Sequence, residues 1–204
     1  MTRRIHFISG LTITIFIVFH LLNHTYGLIG IEEHIELMDK FRVVYRNAFA
    51  ESILLLSVLV QIITGLKLFF KKRKFTNGFW GKLQLWSGLY LAIFFIFHLA
   101  AIFLGRLVLE LDTNIYFGVV GLNTFPFNLF FVPYYGLAII SFFGHIAAIH
   151  AQKFKNAIFG IKPLQQSSVI LAFGVLLSLT ILYGLTNGFN GIEIPSEYDI
   201  IIGK

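Results

Sequence analysis

His20 and His98 are the residues of this chain best placed to do chemistry. Each lies inside an apolar run, at the same point of a repeated stretch. The copies are SGLTITIFIVFHL, Ser9 to Leu21, and SGLYLAIFFIFHL, Ser87 to Leu99, identical at eight of thirteen positions. In each copy a Ser stands eleven residues before the His, on nearly the same helical face, because eleven residues make about three turns. A Phe four residues before the His extends that stripe. Ser9, Phe16 and His20 therefore align with Ser87, Phe94 and His98. Each His falls about fifteen residues into its apolar run, roughly 22 Å along a helix at about 1.5 Å per residue, so the two imidazoles are expected at one depth.

Two imidazoles facing across a gap at one depth suit a b-type haem, whose iron takes one ring nitrogen from each side. Phe16 and Phe94 would line its macrocycle. The same pair could instead join helices by hydrogen bonds, or conduct protons or ions. Zinc fits less well, since it would want further ligands at that depth. The chain has no cysteine, which excludes disulfides, thiolate metal sites and covalent c-type haem attachment.

The elements that carry these residues follow from composition. With 57% hydrophobic residues, 24 Phe and 13% charged residues, and a mean hydropathy of +0.81, the chain reads as an all-α integral membrane protein. Each crossing uses about 20 apolar residues. Five crossings are expected in a single bundle over residues 1–204, at about 5–28, 49–70, 83–104, 129–151 and 167–189. The first is too long, and too polar at its far end, to read as a cleaved signal peptide. In such a bundle an intramembrane His is costly and is usually functional or paired.

Charge orients the bundle. With the N-terminus inside, Arg3, Arg4, Lys67, Lys71, Lys72, Arg73, Lys74, Lys82, Lys153, Lys155 and Lys162 all fall on the inner side, and all ten acids fall outside. The basic bias is the criterion, and it puts the C-terminus outside. The net charge of +6 is then topology, and no nucleic-acid motif accompanies it.

A fainter echo links SVLVQI, Ser57 to Ile62, with SFFGHI, Ser141 to Ile146, making Gln61 the counterpart of His145. The repeating unit becomes a helix pair, helices 1–2 and 3–4, related by an axis along the membrane normal. The outer segment 31–45 carries Ile31, Ile35, Met38, Phe41 and Tyr45 at three- and four-residue steps, the pattern of a short helix on the membrane surface. The apolar outer loop around 111–128 is expected to fold back over the bundle. The fifth helix, with Ser167, Ser168, Ser178 and Thr180 but no His, reads as packing or as a contact for another subunit.

The other histidines are weaker signals. His24, one turn beyond His20, reads as an interfacial helix cap or as a ligand to a quinone oxygen. His34, among acids, reads as solvated. His6 and His150 lie near the inner face, where anchoring of haem carboxylates competes with interfacial hydrogen bonding. Glu51 reads as pairing with Arg42 or Arg46, with relay of quinone protons as the other reading.

The opening RRIH, Gly10, His20, Gly65 four residues after Gln61, KLQLWSG leading to His98, and His145 together resemble the five-helix cytochrome b anchor of succinate dehydrogenases and fumarate reductases, over roughly residues 3–160. That resemblance implies stacked haems linking quinone to attached flavin and iron–sulfur subunits on the inner face. The chain would then be an electron-transfer subunit of an oxidoreductase in an energy-transducing membrane, most simply a bacterial inner membrane. His20 and His98 match the outer-haem ligands and His145 matches one inner-haem ligand, while Gln61 stands where its partner is expected. The inner site would hold no haem, a five-coordinate haem on His145, or one with a replacement ligand. Two other functions fit the residues: a stand-alone haem-binding membrane protein (sensor, haem handling or assembly), and a haem-free transporter or structural subunit.

Overall fold

In lipid the backbone must satisfy its own hydrogen bonds, so an apolar run long enough to cross becomes a helix. A computed structural model describes residues 1–204. It is all-helical, and five of its helices are long and apolar enough to cross a membrane. These are α1 (Thr2–Thr25), α3 (Ala48–Lys72), α4 (Phe79–Leu107), α6 (Asn128–Lys153) and α7 (Pro163–Leu185). Between them lie α2 (Ile31–Tyr45) and the short α5 (Ile115–Val119).

Local chemistry sets the ends. The Asn47 side chain accepts from the Phe49 N–H at 3.1 Å and starts α3. Gly78, at φ 75°, turns the chain into α4. α7 is displaced by four residues from the expected span 167–189, at both ends. Pro163 occupies its first turn, where a missing N–H costs nothing, and the Gln165 side chain accepts from the Lys162 N–H at 3.0 Å. At the far end Asn187, Gly188 and Phe189 all adopt positive φ, so the apolar run continues past the helix as a turn.

The helices pack in the order α1, α3, α4, α6, α7, and α7 returns to α1 and the turn that follows it. Only 31 of 204 residues are buried, so the burial that holds a water-soluble core is missing, and apolar side chains face outward instead. On α1, Leu11, Ile15, Val18 and Leu22 form such a stripe, each about half exposed. Without a hydrophobic drive between helices, small residues let backbones approach. A Cβ on Gly184 would stand 2.9 Å from the Leu28 nitrogen and 3.0 Å from the Gly27 carbonyl carbon, so glycines close the ring between α7 and α1.

The best-buried region is at the end of the bundle that carries the acids. Ile115, Val119 and Leu122 of the loop after α4 join Ile139, Ile181, Leu182 and Leu185 in one core. The apolar loop therefore does fold back onto the bundle. The C-terminal segment straps over it: Tyr198 is fully buried, with its hydroxyl 3.0 Å from the Asp112 carbonyl and 3.1 Å from the Asn114 side-chain oxygen. α2 caps the same end, packed on α1 and α3.

Candidate functional site: a histidine-lined cavity

His20 of α1 and His98 of α4 face the same cavity, about 290 Å³ in volume, with mostly apolar walls. Their ring centroids are 6.3 Å apart with planes at 67°. Each imidazole stacks on the Phe one turn before it: Phe16 on His20 at 5.4 Å and 19°, Phe94 on His98 at 5.0 Å and 14°. Helical spacing makes this pairing, because residues four apart share a face. Tyr135 of α6 stands edge-on to His98 at 6.4 Å.

The fit to a metal-centred cofactor is testable on this geometry. Two imidazoles that held one metal ion between them through bonds of about 2.0–2.1 Å would have centroids at most roughly 6.4 Å apart. The observed separation agrees, and the walls suit an apolar macrocycle. One contact would have to be exchanged, since His20 Nε2 lies 3.2 Å from His24 Nε2.

That contact belongs to a chain of imidazoles that the sequence reading missed. His24 Nδ1 is 3.3 Å from His34 Nε2, and His34 Nε2 is 3.2 Å from the Asn23 side-chain nitrogen. His34 is 1% exposed, so its reading as a solvated residue is wrong. The signal was in the pattern: residue 34 lies on the same helical face as Ile31, Ile35 and Met38, and that face packs inward. Burial, with His20 and Arg42 adding to it, pushes the His34 pKa down to about 4, so this ring is neutral at pH 7. His24 does not cap its helix with its side chain either; the end of α1 is closed by backbone N–H groups.

The rim of the cavity at the acidic end is charged. Glu51 pairs with Arg106 at 2.5 Å, and not with Arg42 or Arg46 as the sequence reading expected. α3 and α4 are neighbours, which sets Glu51 beside Arg106. Arg42 instead reaches Asp112 at 2.8 Å, and Arg46 donates to Thr113 Oγ1 at 2.9 Å.

Toward the basic end lies the second pair of predicted positions. His145 Nδ1 donates to the Gln84 carbonyl at 3.0 Å, with Ser87 Oγ at 3.3 Å. An imidazole held this way keeps Nε2 free, the arrangement metal-ligating histidines adopt. Gln61 is held by Ser9, whose hydroxyl donates to Oε1 at 2.9 Å. A Cβ on Gly10 would lie 2.8 Å from Gln61 Nε2, and one on Gly88 would lie 3.0 Å from His145 Cε1. None of Ser9, Gln61, Gly88 or His145 lines the cavity.

The remaining histidines bond between helices. His6 Nδ1 is 2.8 Å from Thr64 Oγ1. His150 stacks on Phe154 at 4.3 Å and lies 3.0 Å from Ser167 Oγ. The fully buried Ser178 donates to the Gly136 carbonyl at 3.1 Å, whereas Ser168 is exposed and bonded only within its own helix. Comparison with protein-family models, with curated proteins and with solved structures finds no match to this chain.

Proposed function

We propose that this chain is a b-type cytochrome of an energy-transducing membrane, with one haem held between His20 and His98. One observation carries the reading: two half-buried imidazoles on different helices, each stacked on its own Phe, face one apolar cavity with their ring centroids 6.3 Å apart. The haem would supply one-electron chemistry, and the protein supplies ligands, orientation and electrostatics. Phe16 and Phe94 limit ring rotation of the two imidazoles. The walls are mostly apolar, and the His24–His34 pair lines the outer corner.

On the resemblance set out above, the electrons are exchanged with quinone, and the chain serves as membrane anchor to flavin and iron–sulfur subunits. The basic end of the bundle would face inside by the positive-inside rule, most simply in a bacterial inner membrane. The matching contacts Ser9–Gln61 and Ser87–His145, each beside a closely packed glycine, support a parallel repeat of helix pairs. His24, once released from His20, would have a ring nitrogen to offer a quinone oxygen.

A second reading has its own observation. The cavity does not reach Gln61 or His145, so it would not provide for the haem nearest an inner partner, which favours a stand-alone haem protein. Purification in mild detergent followed by absorption spectroscopy tests both. A low-spin b-type spectrum, lost in His20→Ala and in His98→Ala, is expected. Wild type without haem, or both variants with an unchanged spectrum, would overturn the haem assignment. Co-purified flavin and iron–sulfur subunits decide for the anchor over the stand-alone protein.

A further inference from the structure

The cavity is polar at one end only. Its floor, toward the basic end, is made by Ile13, Val58, Leu91 and Phe142, and its roof includes Arg46, Glu51, Arg106 and Thr113. A haem held by His20 and His98 would stand between α1 and α4. The two carboxylates of haem b share one edge of the ring, so both would need polar partners on the same side of the cavity. A carboxylate among apolar side chains has no partner and is strongly disfavoured. The floor offers no such partner, and the roof does.

The cations of the roof are unequally committed. Arg42, beside the roof but not lining the cavity, is occupied by Asp112 at 2.8 Å and Asp39 at 3.2 Å. Arg106 uses Nη1 on Glu51, which leaves its other N–H groups. Arg46 has the Thr113 hydroxyl at 2.9 Å and no carboxylate nearer than Asp112 at 3.9 Å, although its side chain is only 31% exposed. Burial first, and then the charges of Arg42 and Arg106, hold its pKa below the usual arginine range.

Resting on the haem reading above, we infer that Arg46 and Arg106 bind the two haem carboxylates at the acidic end of the cavity. Arg106 lies eight residues beyond His98 on the same helix, roughly 12 Å along the axis. The half-width of the ring, its carboxylate arm and the long arginine side chain share that span. Two guanidiniums that present paired N–H groups to carboxylates match this chemistry better than point charges would.

The test uses the full chain in detergent, prepared from haem-limited cells and titrated with haem b or with haem b dimethyl ester, which lacks the acid groups. The readout is the low-spin absorption band. Wild type should bind the free acid about tenfold or more tighter than the diester, the worth of one or two charge-assisted hydrogen bonds. Arg46→Gln should abolish most of that preference, and Arg46→Lys should restore part of it. The paired change Arg106→Gln with Glu51→Gln, which leaves no unpaired acid, should also reduce it. Equal affinities in wild type, or a preference unchanged in the variants, would overturn the carboxylate assignment while the haem assignment stands. A wild type that binds neither compound would overturn both.

Discussion

At the scale of single residues, types and spacing single out His20 and His98 but not their surroundings. His20 and His98 stand out because each is a polar residue in an apolar run, and because the Ser, Phe and His of one run recur in the other. His34 did not stand out, since the acids around it in sequence are not the groups around it in space. The Glu51–Arg106 pair was equally hidden: the two are 55 positions apart, and which arginine meets Glu51 depends on helix packing. His34 yields two linked expectations. His34→Ala strips a partner from both His24 and Asn23, so it should cost about 1–3 kcal/mol, seen as a lower melting temperature in detergent. Its pH effect has a definite sign. With a folded pKa of about 4 and an ordinary value near 6.5, the unfolded chain binds more protons between those limits. The stabilisation from neutral His34 is complete above about pH 6.5 and is lost as pH falls toward 4. The melting temperature of wild type should drop over that window, and His34→Gln should flatten the drop. An equal drop in the variant would remove His34 from the acid response.

At the scale of elements, hydropathy located all five long helices but misjudged their ends. α7 shows why. Hydropathy discounts Gln165 and Gln166, although polar residues are at home in a first turn behind a proline. It also credits Phe189, whose backbone has already left the helix with φ 66°. The apolar loop and the capping role of the C-terminal segment differ in the same way. The loop could be anticipated from its composition, whereas nothing in the composition of residues 192–204 announces that Tyr198 will be fully buried on Asp112 and Asn114. The ring of helices closes where Gly184 meets Gly27 and Leu28. Gly184→Val would drive a branched side chain into backbone atoms that a Cβ alone approaches to 2.9 Å, and these atoms cannot rotate away. Overpacking of this kind costs about 1–3 kcal/mol. The variant should melt lower and lose bound haem faster on dilution into detergent, while keeping wild-type ligand chemistry at His20 and His98. A melting temperature equal to that of wild type would show that α7 and α1 are not pressed together at this point.

At the scale of the whole molecule, the number of haems decides whether electrons could cross from one end of the bundle to the other. Charge segregation was legible directly, because all ten acids lie at one end and eleven of the sixteen Lys and Arg at the other. The number of cofactor sites was not, because it depends on whether space remains between side chains whose sequence positions look equivalent. Gln61 and His145 look like a weakened copy of the His20–His98 pair. Their surroundings differ. Gln61 is half-buried, bonded to Ser9 at 2.9 Å and packed against Gly10, where a Cβ would stand 2.8 Å from its Nε2. His145 is oriented by Gln84 and Ser87 with Nε2 free, which satisfies the ligand requirement but supplies no volume. Phe142, one turn before His145, forms part of the cavity floor and closes the space toward it. The cavity at His20 and His98 thus does not extend to the gap between Gln61 and His145, where a second haem would have to sit. Gln61→His supplies a second ring nitrogen there without charge, and the expected result is a haem-to-protein ratio still near one, with no carbon-monoxide-binding species in difference spectra. Adding Phe142→Ala to Gln61→His lowers the floor, and only that double variant should take up additional haem. A second low-spin haem in Gln61→His alone would mean that the inner site is open, and that the continuous electron path was lost at one residue.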